Sequence, residues 1–196
     1  GVGKSETASL LAYYLNEAGI GAYVMSGDNY PHRIPKYNDA ERLFVFREGG
    51  VRQMAADGIL NGENRILLQQ LQEQEDDANP ANVEKYPWME SYLRGGRAAL
   101  EGYLGTNRES GFEEVEQIAR AFHEGKPEIW LRRMGRTESE LWYEPVDFSE
   151  KQVLVIEWTH GNSDCYQGVD IPVLLNSTPE ETLAHRKARN RDGKTD

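Results

Sequence analysis

Apolar residues recur at helical spacing near the start of the chain and form short continuous runs farther along it. Residues 4–17 carry leucines and tyrosines three and four positions apart and are soon followed by Gly19, which predicts a helix. Three other runs are almost continuously apolar, as in buried parallel strands. They are GAYVMSGD (21–28), QVLVIE (152–157) and IPVLLN (171–176). Both ends of the chain therefore alternate helix and strand, which favours an α/β fold with a parallel sheet flanked by helices.

The middle of the chain follows a different pattern. Residues from about 37 to 126 are predicted to be mostly helical, because four segments carry an apolar stripe at three- and four-residue spacing. The composition of residues 75–87 predicts a loop between two of them. Residues 128–148 suit a hairpin or two short edge strands. A last helix is expected to begin after Thr178. This threonine would cap the helix, a proline occupies the first helical position, and a glutamate lies three residues after the cap.

Charge and cysteine content narrow the classes of partner. The formal net charge is -11, which argues against a nucleic-acid or anionic-membrane surface, since such surfaces are usually basic. An anionic small ligand remains compatible, because local cations and a helix N-terminus attract anions. Cys165 is the only cysteine, so an intrachain disulfide is excluded, as suits a cytoplasmic protein. No apolar run approaches the roughly 20 residues that span a bilayer.

The first residues of the chain predict a phosphate-binding loop. Gly3, Lys4 and Ser5 match the last three positions of the pattern G-x-x-x-x-G-K-[ST], and a helix follows at once. In such a loop, glycines turn backbone N–H groups toward phosphate oxygens, the lysine reaches the β- and γ-phosphates and the serine ligates Mg²⁺. The alternative is a glycine turn before an ordinary amphipathic helix. The predicted nucleotide-binding residues here are Gly1, Val2, Gly3, Lys4, Ser5 and Glu6.

Two carboxylates follow predicted strands. Asp28 ends the strand at 21–28, where an acceptor hydroxyl would bind and lose its proton in an open α/β sheet; a turn-capping aspartate is the alternative. Glu157 ends the strongest strand pattern, where a carboxylate would hold Mg²⁺ directly or through water. Farther on, Arg186 and Arg189 lie on the last predicted helix. They either neutralise the transferring phosphoryl group or form a solvated basic helix end.

The order of these features resembles the P-loop kinases of the uridine kinase and phosphoribulokinase type. The similarity rests on GVGKSETASLLAYYL, VMSGDNYPHR, VLVIEWTHGN, DIPVLLNSTPEETLAHRKARNRD and the segment GFEEVEQIARAFHEGK through VLVIE. It implies a single P-loop NTPase domain over residues 1–196, truncated at both ends. Residues 38–126 would form a mostly helical insertion that serves as the substrate region. It also implies that ATP and Mg²⁺ are bound, that Asp28 is the catalytic base, and that Lys4, Arg186 and Arg189 assist transfer. Ser5 and Glu157 become the metal-site residues.

Departures from that family's pattern favour a sugar as the acceptor. Glu157 is followed by Trp158 instead of glycine, and LGTNRESG replaces the acidic segment that binds nucleosides in uridine kinases. Several aromatic residues are available to stack on sugar rings, although each is more commonly a core residue. Within the family, the chain looks most like the sucrose kinase modules that are fused to bacterial α-galactosidases. The candidate acceptor contacts are Tyr30, His32, Arg33, Arg132, Arg133 and Arg136.

The sequence therefore predicts a cytoplasmic, ATP-dependent kinase that phosphorylates a small-molecule hydroxyl, with a sugar as the favoured acceptor. A fusion to a glycosidase domain is an expected partner. A nucleoside kinase, a nucleotide-dependent switch or assembly ATPase, and a module that binds without turnover remain as alternatives. Because the phosphate loop begins at Gly1, the strand that precedes such a loop is expected upstream of this sequence.

Overall fold

The predicted helix and strand at the start of the chain are present in the computed structural model, which describes residues 3–176, 178 and 180–182. Helix α1 spans Lys4–Glu17 and strand β1 spans Ala22–Ser26. The Asn16 side chain joins the two, since its Oδ1 accepts the Ala22 N–H at 2.9 Å and its Nδ2 donates to the Ala22 carbonyl at 3.3 Å. The end of α1 is thereby fixed to the beginning of β1.

Strand β4 (Val153–Glu157) lies beside β1 in a parallel pair, with Ala22 opposite Val153 and Ser26 opposite Glu157. Helix α1 packs on both strands. The α/β class and the parallel arrangement that the sequence predicts are therefore confirmed. Among the residues described, the parallel sheet consists of β1 and β4.

The prediction of a strand at residues 171–176 is wrong. This apolar run is irregular, and its side chains face solvent, with Ile171 and Leu174 each 79% exposed. A strand needs a neighbour to satisfy its backbone N–H and C=O groups. Neither β1 nor β4 pairs with residues 171–176 in the described structure. An apolar run shows that a segment is suited to a sheet, but it does not show that a partner strand is present.

A helical turn begins where the last helix is predicted. The Thr178 hydroxyl accepts the N–H of Glu181 at 3.2 Å, and the Glu181 carboxylate accepts the N–H of Thr178 at 2.8 Å. This reciprocal pair is the predicted capping box. Arg186 and Arg189 lie outside the described residues.

The predicted hairpin at 128–148 is confirmed. Strands β2 (Glu128–Met134) and β3 (Leu141–Asp147) pair antiparallel. Helix α6 (Phe112–His123) packs on β2, and together with β1 and β4 these elements enclose one hydrophobic core. The buried side chains of that core include Met25, Tyr30, Phe112, Val115, Ile118, Ile129, Leu131, Phe148, Trp158 and Tyr166.

The chain divides into two compact units, and the elements above belong to the first, which runs up to Tyr30 and resumes at Gly111. We call the second, Pro31–Ser110, the helical unit. The use of residues 38–126 as a substrate region stays a prediction, and α6 belongs to the first unit. No helix among the described residues has the length and apolar content needed to cross a membrane.

The helical unit is built on two long helices that approach closely through glycines. A Cβ added to Gly49 of one helix would lie 2.3 Å from the Cβ of Ala99, and one added to Gly50 would lie 2.4 Å from the Tyr92 ring. The predicted loop at 75–87 contains a single helical turn. The helices of this unit are α2 (Pro35–Ala56), α3 (Gly62–Glu73), α4 (Asn82–Lys85) and α5 (Met89–Glu101).

Candidate functional site

The first unit brings the start of α1 to the carboxyl edge of the β1–β4 pair. Asn16 fixes the end of α1 to the beginning of β1, and α1 packs back along β1 and β4, so helix and strand run in opposite directions. Helix α1 has 14 residues and is therefore about 21 Å long, while β1 has five and spans about 17 Å. The N-terminus of α1 consequently lies at the strand edge where Asp28 and Glu157 follow β1 and end β4.

The backbone at the beginning of α1 suits an anion. Gly3 precedes the helix with a φ of 82°, a left-handed conformation that glycine adopts without strain. The first N–H groups of a helix have no acceptor within it and carry partial positive charge. Lys4 is half-buried there and Ser5 is exposed. Gly1 and Val2 lie outside the described residues.

Asp28 lies on a 3₁₀ turn, Gly27–Asn29, directly after β1. The neighbouring Asn29 holds this turn from two sides, because its Nδ2 donates to the Ser26 carbonyl at 3.3 Å and its Oδ1 accepts the Met134 N–H at 3.0 Å. The Asp28 side chain is exposed. Its carboxylate hydrogen-bonds to no other residue in the described part of the chain, so the structure gives it no capping role. The carboxylate is available to a ligand.

Glu157 is half-buried opposite Ser26, and the residue after it closes the gap to the Asp28 turn. Trp158 is buried and lies so close to Gly27 that a Cβ on this glycine would be 2.1 Å from the Trp158 Cγ. The indole ring also packs on Phe112, with ring centroids 4.7 Å apart. Trp158 is therefore a core residue that fixes the distance between the two carboxylate-bearing segments.

A Gly27→Ala variant is expected to lose about 1–3 kcal/mol of unfolding free energy, since the added methyl group overlaps the Trp158 ring. Chemical denaturation measures the loss. Gly62→Ala is the matched control, because nothing lies within 4 Å of a Cβ added there. Gly58→Ala is unsuitable, since the φ of Gly58 is 70° and alanine would be strained. Equal stabilities of the two variants would contradict the close packing of Gly27 on Trp158.

Tyr30, a predicted acceptor contact, is fully buried in the core of the first unit. Its hydroxyl lies 3.5 Å from the Met25 sulfur and interacts with the backbone of Arg132. Its placement favours support of the neighbouring turn over direct contact with a ligand. Burial raises the pKa of the Tyr30 hydroxyl to about 12.

Ionisation of Tyr30 is expected to weaken the fold at alkaline pH. Its pKa is about 12 in the folded protein and near 10 when unfolded, so folding favours the neutral phenol. The resulting stability is complete below pH 10 and is lost as the pH rises from about 10 to about 12. Denaturant titrations across this pH range should therefore show that the free energy of unfolding falls less steeply with pH for Tyr30→Phe than for the wild type. Tyr13→Phe, at an exposed position on α1, is the control. If the free energy of unfolding fell equally with pH in Tyr30→Phe and the wild type, ionisation of Tyr30 would not be the cause of the loss.

The three candidate arginines of the hairpin have different environments. Arg133 is held internally, with its guanidinium 2.6 Å from the Glu144 carboxylate and 2.7 Å from the Tyr23 hydroxyl. Arg136 is exposed in the turn between β2 and β3. Arg132 is 8% exposed, and its Nη1 lies 3.6 Å from the Glu114 carboxylate of α6. Of the three, Arg133 is the one already engaged by neighbouring side chains at short distance.

His32 and Arg33 belong to the helical unit. The His32 Nε2 lies 2.8 Å from the Asn107 carbonyl oxygen, so that nitrogen carries the donated hydrogen. Arg33 interacts loosely, at 3.4 Å from the Tyr103 hydroxyl and 3.7 Å from the Glu41 carboxylate. The structure thus brings Lys4, Ser5, Asp28 and Glu157 to one edge of the first unit, whereas His32 and Arg33 form part of a separate polar group.

Sequence reasoning missed Asn29 and Glu114. Asn29 follows Asp28 directly, and asparagine beside a strand end is a recognisable turn residue, so this position could have been identified. Glu114 lies in the first turn of α6, where an acidic residue is ordinarily explained by the helix dipole. Its proximity to Arg132 depends on the packing of α6 against β2, which the sequence pattern does not specify.

The donor atoms at the carboxyl edge suit Mg²⁺. A serine hydroxyl and a carboxylate are hard oxygen ligands, and Mg²⁺ commonly uses one or two carboxylates together with phosphate oxygens and water. Ser5 and Glu157 supply this set. Within the described residues, no group of three or more histidine, cysteine, aspartate or glutamate side chains is arranged to hold a metal ion.

Comparison with known proteins gives one informative similarity. The chain is 40% identical over 192 residues, or 98% of its length, to the bifunctional alpha-galactosidase/sucrose kinase AgaSK of Mediterraneibacter gnavus. It spans 16% of the length of that protein. No protein-family model matches the chain. No solved structure is significantly similar to it.

Proposed function

We propose that the chain is an ATP-dependent kinase of the P-loop type that transfers the γ-phosphoryl group to a hydroxyl of a sugar. The observation that carries this proposal is the arrangement at the carboxyl edge of the first unit. There the register sets Glu157 beside Ser26, Asp28 follows on a fixed turn, and α1 begins with Gly3, Lys4 and Ser5. The similarity to a protein named as a sucrose kinase supports the same class of reaction.

The beginning of α1 binds the nucleotide in this proposal. Backbone N–H groups of the loop and first turn donate to phosphate oxygens, and the Lys4 ammonium neutralises the β- and γ-phosphates. Ser5 and Glu157 would hold Mg²⁺, which would offset charge on the phosphates. Gly1, Val2 and Glu6 complete the nucleotide-binding segment. Arg186 and Arg189 would stabilise the charge of the phosphoryl group in transfer.

Asp28 is the general base. Its exposed carboxylate orients the acceptor hydroxyl and takes its proton as the oxygen attacks the γ-phosphorus. The bond from that phosphorus to the β,γ-bridging oxygen breaks, and ADP leaves. Asn29 keeps the turn in place through its bonds to Ser26 and Met134, so the carboxylate is pre-positioned before substrate binds. The contribution of such a base is typically 10²–10⁴-fold in rate.

A sugar acceptor is proposed on the name of the relative and on the departures of the sequence from the nucleoside kinase pattern. AgaSK joins an alpha-galactosidase and a sucrose kinase in one protein, and we propose sucrose as the first sugar to test. A glycosidase domain in the same polypeptide is the proposed partner, since AgaSK combines the two activities in one protein. We propose a cytoplasmic location for the reaction, because ATP is available there. The proposed acceptor contacts are His32, Arg33, Arg132 and Arg136, with Tyr30 and Arg133 as supporting residues.

A phosphotransfer screen tests this function. The purified protein with ATP and Mg²⁺ is incubated with sucrose, glucose, fructose, galactose and uridine, and phosphorylated products are detected by mass spectrometry. Phosphorylation of a neutral sugar is the expected result. Transfer only to uridine would identify a nucleoside kinase, and ATP hydrolysis without any phosphorylated acceptor would favour a switch or assembly ATPase. Either outcome contradicts the proposal.

A further inference from the structure

Arg132 is a buried cation that lacks part of its hydrogen bonding. The residue is 8% exposed, yet its Nε is buried without a hydrogen-bond partner among the described residues. A guanidinium has five N–H donors, and a buried charge is stable only when it is paired and hydrogen-bonded. An unsatisfied buried polar group in a native protein calls for an explanation, and a ligand that accepts hydrogen bonds is one.

Glu114 supplies the opposite charge at a distance that leaves the pair incomplete. Its carboxylate oxygen lies 3.6 Å from the Arg132 Nη1, which is attractive but beyond the length of an N–H···O hydrogen bond. The Glu114 side chain is 28% exposed, so one side of the pair is open to solvent. Together the two groups are neutral, with donors on Arg132 and acceptors on Glu114, whose carboxylate also accepts a hydrogen bond from the Tyr143 hydroxyl.

The pair adjoins the turn that carries Asp28. The Tyr30 hydroxyl interacts with the backbone of Arg132, and Asn29 accepts the N–H of Met134, two residues farther along β2. The backbone N–H groups of residues two apart on a strand point to the same edge of that strand, so both links to the turn come from one edge of β2. The Asp28 turn is therefore held to the β2 backbone at Arg132 and at Met134.

Aromatic side chains flank the pair. Trp130 shares the strand face of Arg132 and is 56% exposed, and Tyr143 is opposite Arg132 in the β2–β3 register and is 48% exposed. Sugars present C–H faces to aromatic rings and hydroxyl groups to charged planar side chains. The surroundings of the pair thus combine both kinds of contact.

We propose that Glu114 and Arg132 form a specificity subsite that binds neighbouring hydroxyl groups of a neutral sugar. The inference rests on the proposed function, which it deepens by assigning a sugar-selecting role to Glu114. A hydroxyl both donates and accepts, so one can accept from Arg132 while its neighbour donates to Glu114. An anionic group attracted by Arg132 is repelled by Glu114, and a cationic group attracted by Glu114 is repelled by Arg132, so a charge on the ligand brings no net gain. The pair therefore selects uncharged, hydroxyl-rich acceptors.

Binding measurements without nucleotide test the subsite independently of phosphoryl transfer. Calorimetry with sucrose, glucose and glucose 6-phosphate compares the wild type with Glu114→Gln, Arg132→Met and Arg132→Lys. Glu114→Gln and Arg132→Met are expected to weaken binding of the neutral sugar at least about 10-fold, as loss of a charged hydrogen-bonding partner does. Glu114→Gln should at the same time strengthen binding of glucose 6-phosphate, whereas Arg132→Met should weaken it. A purely structural role would not produce this opposite response.

Two variants on α6 serve as matched controls. Glu113→Gln alters an exposed carboxylate adjacent to Glu114, and Arg120→Met alters an exposed arginine on the same helix. Neither should change sugar affinity more than about twofold. Where Arg132→Met lowers the melting temperature markedly, Glu114→Gln and Arg132→Lys decide the question, because they nearly preserve volume.

The outcomes separate this inference from the proposed function. Sugar binding that Glu114→Gln weakens, in a protein that transfers no phosphoryl group, supports the subsite and refutes the kinase. Phosphoryl transfer with unchanged sugar KM in Glu114→Gln and Arg132→Lys supports the kinase and overturns the subsite. A wild-type protein that binds none of the neutral sugars also overturns the subsite.

Discussion

Replacement of Asp28 by asparagine is expected to lower kcat for sugar phosphorylation by about 10²–10⁴-fold, the contribution of a general base. This corresponds to about 2.7–5.5 kcal/mol of transition-state stabilisation. ATP affinity should stay within about twofold of the wild type, because the nucleotide is proposed to bind at the beginning of α1. Stability should change little, since the exposed carboxylate hydrogen-bonds to no other residue that the structure describes.

Steady-state kinetics together with nucleotide titration measure both quantities for Asp28→Asn. Asp164→Asn is the matched control, because this aspartate is also exposed and lies in a loop of the same unit. A near-wild-type kcat for Asp28→Asn would refute the base assignment while leaving sugar phosphorylation itself intact. A loss of ATP binding equal to the loss of kcat would instead assign Asp28 to the nucleotide site.

Replacement of Asp77 by alanine is expected to have the largest effect on stability. Asp77 is 1% exposed and lies in the loop after α3, where its carboxylate accepts two hydrogen bonds from Arg47 of α2, at 2.8 and 3.1 Å. It also accepts the Tyr92 hydroxyl of α5 at 2.6 Å. Removal of one member of a buried ion pair costs about 3–5 kcal/mol. Since the Arg47 side chain is 27% exposed and can be rehydrated, we expect about 3 kcal/mol.

Thermal and denaturant unfolding of Asp77→Ala measure this loss, which should lower the melting temperature by roughly 6–12 °C. Tyr92→Phe removes one hydrogen bond and should lose about 1 kcal/mol. The double variant should lose less than the sum, because the two side chains interact directly. Glu73→Ala, at an exposed position near the end of α3, is the control. A change below about 0.5 kcal/mol in Asp77→Ala would show that the network is not stabilising.

Local signals in the sequence predicted the parts of the fold that depend on neighbouring residues. Helix α1 has the predicted bounds, the hairpin forms at 128–148, and Thr178 and Glu181 form the predicted capping box. In each case the determining interactions span a few residues or a single turn. Periodicity and capping chemistry are therefore sufficient to identify these elements.

Contacts between distant segments could not be derived in the same way. The fit of Trp158 on Gly27 joins two strands that are far apart in the chain, and the three-way network of Asp77 joins a loop to two helices. The apolar run at 171–176 shows the opposite case, because its composition suits a strand whose formation depends on a partner. Such features follow from packing and pairing, which a pattern along one chain does not specify.

The candidate site also has one part that local sequence signals predict and another that depends on tertiary packing. Asp28 and Glu157 were predicted from strand ends, and the parallel register of β1 and β4 sets those ends side by side. Arg132, Arg133 and Arg136 were indistinguishable by sequence, whereas the structure separates an internally bonded, a buried and an exposed arginine. Residue type identified the candidates, and tertiary packing determined which of their atoms remain available to a ligand.

The chain enters and leaves the helical unit at adjacent points. The Tyr30 carbonyl accepts the Gly111 N–H at 2.8 Å, and Pro31 pairs with Ser110 in an isolated antiparallel bridge. Because the two crossings are this close, a short linker can join Tyr30 to Gly111 without rerouting the first unit, and Pro31–Ser110 can be circularised with little loop-closure cost. The helical unit can therefore be removed or replaced as one continuous segment. Replacing Pro31–Ser110 by the same segment of a relative would leave the backbone of the strand edge that carries Asp28 and Glu157 unchanged.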